Sequence, residues 1–149
     1  MAITQGLCTS FKVQMLNAEH AFGTTVVRAS TTPDVFKIAL YTSAADLGPN
    51  TTVYTTSGEV PNGSGYTTGG KTLTSTQPSS SEGVAYLDFS DVIWSASSIT
   101  ARGALIYNST QGNKAVAVLN FGADRQSSSG DFIVQFPANN AGNAIIRVT

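Results

Sequence analysis

The chain has 149 residues and a formal net charge of −1, with 41% hydrophobic and only 11% charged residues. A domain of that length buries enough surface to fold without metals or disulfides, and the absence of a Lys/Arg cluster argues against nucleic-acid binding. The single cysteine, Cys8, and single histidine, His20, exclude an internal disulfide and a Cys/His zinc site within one chain.

With so few charges, Ser, Thr, Gly, Asn and Gln must cover the surface, and Ser plus Thr make up about a quarter of the chain. Two readings stay open. A weakly charged surface costs little to desolvate against a protein partner, and Thr and Ser also simply follow β content. The opening MAITQGLCTSFKVQML lacks the basic start and continuous apolar run of a signal peptide. No stretch approaches the roughly 20 apolar residues that cross a bilayer. The expectation is a soluble protein made in a cytoplasm, with no membrane and no nucleic-acid partner.

Leu7, Cys8, Phe11, Met15, Ala18 and Phe22 recur at the spacing of one helix face. They predict a short helix within residues 5–22, capped by Thr9, Ser10 or Thr4 and stopped by Gly23. Residues 1–30 therefore read as an N-terminal helix or arm. From Val35 the period changes to two. Strands are predicted at Val35–Thr42, Val84–Phe89, Ile99–Tyr107, Lys114–Phe121, Asp131–Phe136 and Ala144–Val148, with Val92–Trp94 continuing the second after a bend. Short polar links favour antiparallel neighbours.

Residues 43–83 hold Pro49, Pro61, Pro78 and many glycines, and form a loop-rich segment of functional or oligomeric character. Within it Val53–Tyr54, Glu59–Val60 and Lys71–Thr76 are possible short strands, and Ser75–Gly83 reads as an exposed loop. The fold class expected is mainly β: a single antiparallel β-sandwich or jelly-roll-like domain over residues 31–149 with a short N-terminal helix. The core candidates are Trp94, Phe36, Leu40, Leu87, Phe89, Ile106, Val116, Val118, Phe121, Ile133, Phe136 and Ile145.

Gly65–Thr72 (GYTTGGKT) matches the phosphate-loop pattern letter for letter. That chemistry needs a helix after the loop, and Leu73–Pro78 cannot supply one. A glycine-rich turn leading into a Thr-rich strand is the better reading. His20 lacks an evident nucleophile, and Cys8 falls on the apolar helix face. Asp88 and Asp91 without further acids make a poor cation cage and read as a solvated strand end or turn cap. The Asn50, Asn62 and Asn108 acceptor patterns are chance products of a Ser/Thr-rich chain. Arg28, Arg102, Arg125 and Arg147 are scattered, and suit interface ion pairs and isolated surface charges equally. No catalytic residue, cofactor or metal is expected.

The opening MAITQGLCTSFK, the stretch FKIALYTSA from Phe36, GYTTGGK from Gly65 and the long run from Ile99 to Gly122 resemble a family of small virion proteins of tailed bacteriophages. The resemblance spans most of the chain and implies a non-enzymatic structural component of the virion. The favoured role is a capsid decoration, or cement, protein on the outer capsid surface. It would bind the major capsid protein and sister copies, as a homotrimer. The alternative is a tail, collar or fibre component used in attachment. Interface candidates are Phe11, Met15, Phe22, Arg28, Tyr54, Tyr66, Lys71 and Arg102. In this reading the N-terminal arm reaches neighbours and is dispensable for folding of the β domain.

Overall fold

In the computed structural model of the chain, residues 2–16, 18–24 and 32–149 are described. The elements in order are β1 (Gly6–Leu7), α1 (Thr9–Leu16), β2 (Phe36–Tyr41), β3 (Lys71–Thr72), β4 (Ser79–Ser81), β5 (Val84–Leu87), β6 (Val92–Ser97), β7 (Thr100–Asn108), β8 (Lys114–Gln126), β9 (Gly130–Val134) and β10 (Ile146–Val148). The described residues are mainly β, with antiparallel sheets and among them one short helix near the N-terminus.

The period-two segments become strands because each has a face to bury. β2 lies between β7 and β3 in a five-stranded sheet of order β1-β8-β7-β2-β3. Both of its faces are covered: Phe36, Ile38 and Leu40 are buried, and so are Ala39 and Tyr41 of the opposite phase. Its register with β7 runs from Phe36 opposite Asn108 to Tyr41 opposite Gly103. β10-β5-β4 form a second sheet and β6-β9 a third. The ladders thus fall into sheets of five, three and two strands, and neither small sheet is by itself a sandwich face.

β6 leads directly into β7, and β8 into β9, and the first pair is laddered against the second. The double ribbon changes sheet where Ser97 meets Gly130, the way strands turn corners between packed layers. Serines make that corner. The buried Ser97 hydroxyl lies 2.8 Å from the Ser127 hydroxyl and donates to the carbonyls of Trp94 and Gly130. Ser127 Oγ accepts from Ile99 N, and Ser98 Oγ from Ser129 N. Ala96 takes a positive φ of 49° at the bulge.

One buried cluster joins the sheets, and it contains Cys8 and Phe11, both fully buried, beside Phe36, Trp94, Leu105 and Val116. The N-terminal segment is therefore no detached arm: its apolar face fills the core, and β1 pairs with β8. The boundary at residues 30 and 31 lies outside the described residues. The helix is only two turns long. Its first amide, Thr9 N, donates to Pro49 O rather than to a capping side chain, and the Ser10 hydroxyl is buried without a partner. It ends well before Gly23. Glu19 N donates to Gln14 O and Ala18 N to Met15 O, with Ala18 at a φ of 58°, the pattern of a left-handed C-terminal cap.

Of the core candidates, Ile133 is 54% exposed and Phe121 and Ile145 are only partly buried. The inward phase of β9 is Phe132, Val134 and the following Phe136, which leaves Ile133 outward. In the last strand Ile146 is inward. The polar Ser79–Ser81, read as loop, pairs with β5 while remaining exposed.

Candidate interaction surface

The 43–83 segment is organised by one carboxylate. Glu59 Oε2 accepts from the Tyr54 hydroxyl at 2.6 Å, and Oε1 from the Tyr66 hydroxyl and the Gly69 amide at 2.7 Å each. Tyr66 OH in turn accepts from Leu40 N. Tyr41 OH donates to Thr55 O and Tyr107 OH to Gly69 O, both at 2.6 Å. Tyr54 stacks on Tyr107 with ring centroids 4.7 Å apart. Burial pushes the Tyr107 phenol up to about 12, and burial with the Glu59 contacts raises Tyr54 and Tyr66 further. All four tyrosines stay protonated as donors at neutral pH.

This geometry settles the phosphate-loop match. The loop runs into strand β3, not a helix, and the Gly69 amide already holds the chain's own carboxylate. Gly70 has a φ of 78°, and an added Cβ would overlap the Ile38 carbonyl. Gly70 lets the turn lie against β2, and the Gly69 amide that a phosphate would need is already bonded to Glu59. Lys71 Nζ donates to Ile93 O at 2.6 Å and sits 5.8 Å from the centre of the Trp94 ring. Its ammonium blunts the outer edge of β6.

The remaining interface candidates separate clearly. Phe11 and Tyr66 are buried within the chain and cannot contact a partner. Met15 and Phe22 are half-buried and line a groove of about 240 Å³ with His20, Leu87, Ile146 and Val148. Tyr54 is half-buried in the carboxylate cluster. Arg102 forms a surface ion pair with Asp124 at 3.4 Å, a contact of small energetic value. Arg28 lies outside the described residues.

The residues raised as chemical groups also find structural partners. Burial pushes the Cys8 thiol up to about 11, so it stays an inert thiol at neutral pH. Asp88 is buried rather than solvated; Oδ1 accepts from Phe89 N, and desolvation holds its pKa above the usual carboxylate range. Asp91 Oδ1 accepts from Phe136 N. Among the described residues no cluster of three or more His, Cys, Asp or Glu could hold a metal.

The surface that stands out is the β6–β9 ribbon. Ile93 and Ile133 face each other directly across the ladder and point outward, 43% and 54% exposed. β9 pairs with β6 alone among the described residues. Beside it the far end of β8, exposed from Gly122 to Gln126, borders a groove of about 570 Å³ lined by Phe121, Arg125, Phe132, Ile133, Phe136 and Ile145. An apolar pair, a strand edge unpaired among the described residues and an open groove therefore adjoin, with Arg125 and Asp131 in the lining of the groove. Alternation in DFIVQF, read by phase from Phe132, Val134 and Phe136, was the signal that could have placed Ile133 there. Compared with models of protein families, with curated proteins and with solved structures, the chain matches none.

Proposed function

We propose that the chain is a non-enzymatic structural protein of a tailed-phage virion. Its role is a capsid decoration protein on the outer head surface, bound to the major capsid protein and to sister copies in a trimer. The observation that carries this reading is the β6–β9 ribbon, where Ile93 and Ile133 form an apolar strip beside an unpaired strand edge. Exposed apolar strips with an open groove mark protein-contact sites. With 11% charged residues, the surrounding surface is cheap to desolvate. The internal use of the polar groups supports a structural role: the Gly69 amide and the hydroxyls of Tyr41, Tyr54, Tyr66 and Tyr107 are committed to hydrogen bonds inside the chain, and Cys8 is packed in its core.

The test is location and copy number on purified particles, with Ile93→Asp and Ile133→Asp as probes. Both side chains are outward and about half exposed, so the variants stay folded with a loss of about 1 kcal/mol or less, read from the urea midpoint, while losing particle binding. Hundreds of copies on the head support decoration, whereas a dozen or fewer at the tail or collar favour the attachment role. Particle binding unchanged by both substitutions removes the ribbon from the contact, and turnover of a substrate by the isolated chain overturns the proposal.

A further inference from the structure

His20 is held by opposite hydrogen-bonding roles on its two ring nitrogens. Nε2 lies 2.8 Å from Gln14 Oε1, and Nδ1 lies 3.0 Å from Asn108 Nδ2. Asn108 is fully buried, and its amide orientation is fixed from both ends. Its Oδ1 accepts from Thr110 N and Gln111 N, and its Nδ2 also donates to Asp34 Oδ2 at 2.8 Å. The nitrogen facing His20 is therefore a donor, and Nδ1 must present a lone pair. The imidazole is neutral, with its proton on Nε2 directed at Gln14.

Asp34 completes the knot. Its Oδ2 also accepts from Ala21 N, its own amide donates to Ala21 O, and Oδ1 lies 3.4 Å from Gln111 Nε2. Three pieces of chain meet here: the segment after α1, the residue leading into β2, and the β7–β8 turn. Around them Phe11 meets the imidazole edge-on at 4.8 Å, and Phe22 stacks on Phe36 at 4.2 Å. Lys114 at the start of β8 pairs with Glu19 at 2.6 Å.

We propose that His20 is a pH-sensitive latch, which in its neutral form ties the α1 segment to the β7–β8 turn and on protonation lets that segment detach. A proton on Nδ1 meets the Asn108 amide hydrogens, so a hydrogen bond becomes a donor–donor contact against a fully buried amide in a partly buried site. Desolvation opposes the charged form most strongly and Lys114 adds to it, while Asp34 and Glu19 act the other way; the net direction is a pKa below the ordinary 6.5. Stability is then complete above the ordinary imidazole value. It falls as pH drops from there through the folded-state pKa, and levels off below it. Detachment uncovers the Phe36 face that Phe22 covers. The latch is independent of any virion role.

Amide exchange of peptides spanning residues 9–22, corrected for intrinsic rates, tests this at about pH 5 and about pH 7.5. In the wild-type chain this segment opens more at the lower pH relative to β7 and β8, by about tenfold for each unit that His20 is held below its free value. His20→Gln, which cannot charge, shows a flat profile. Asn108→Asp offers Nδ1–H an acceptor and sets a carboxylate against Asp34, so its profile reverses. Should His20→Gln fail to fold, the imidazole titration of the wild-type chain by NMR, together with Asn108→Asp, decides the matter. A His20 pKa at or above the ordinary value, or the same pH profile in wild type and His20→Gln, overturns the latch.

Discussion

The N-terminal segment through Thr24 and the loop-rich segment 43–83 are both poor in strands, and both are bound into the same body by different physics. The loop segment is held by direction. Tyr54, Tyr66 and Gly69 converge on Glu59, and Tyr66 passes the connection on to the Leu40 amide of β2. The N-terminal segment is held mainly by volume, through the buried Cys8 and Phe11 and the Phe22–Phe36 stack, to which the β1–β8 pairing, the Lys114–Glu19 ion pair and the neutral His20 network add direction. Directional bonds fix geometry and become costly when one partner is removed. Apolar contacts supply more free energy but specify position less sharply. The apolar segment is thus the more expensive to damage and the easier to move as a unit.

The largest expected effect is on the volume side. Phe11→Ala removes a fully buried ring that touches both His20 and Phe22, and costs about 3–5 kcal/mol, read as a lower urea midpoint at unchanged slope. Loss of that much stability also contradicts the notion of a dispensable arm. A cost under about 1 kcal/mol would instead show that the segment docks only loosely.

The next effect is on the directional side. Tyr66→Phe keeps the buried ring against Trp94 but removes the hydroxyl, leaving the Leu40 amide without its acceptor and Glu59 without one donor. The expected cost is about 1–3 kcal/mol. Tyr54→Phe removes only a donor to Glu59 at a half-buried position, and costs less. Equal losses in the two variants would mean that Leu40 N finds water when Tyr66 OH is gone, and that the cluster is wetter than its hydrogen bonds imply.

The two regions also differ in how far their sequences reveal them. The strands after Val35 are legible as short runs rich in β-branched and aromatic residues between turn residues; alternation itself survives in β6 and β9 but not in β2, β7 or the first half of β8, which are buried on both faces. The helix is legible from Leu7, Cys8 and Phe11. Where both phases carry an apolar residue, size misleads: Ile133 outweighs Val134 as a core candidate, although Phe132 and Phe136 set the phase. β4 hides because Ser79–Ser81 has no apolar side chain and pairs through its backbone alone. The Glu59 cluster is invisible for another reason. Its members come from residues 41, 54, 66, 69 and 107, so only the folded chain brings them together. The same is true of His20, Asp34 and Asn108, and it is why Asn108 shows in sequence only a chance match to a glycan-acceptor pattern and proves to be a buried hub of hydrogen bonds.

The smallest expected effect is a gain, and it sharpens the contrast from the helix end. α1 stops where Ala18 adopts a φ of 58° and the amides of Ala18 and Glu19 return to the carbonyls of Met15 and Gln14. A Cβ in that conformation crowds the neighbouring carbonyl, and glycine is the residue that normally closes this motif. Ala18 is exposed, so Ala18→Gly removes the strain without opening a cavity. The expected gain is about 0.5–1 kcal/mol, reduced by the extra freedom glycine has in the unfolded chain. If the latch governs detachment, this gain slows opening of the segment by the same factor at both ends of the pH range and leaves the His20 titration in place. A gain confined to neutral pH would mean that the helix end and the imidazole are coupled, and that the cap loosens when His20 charges.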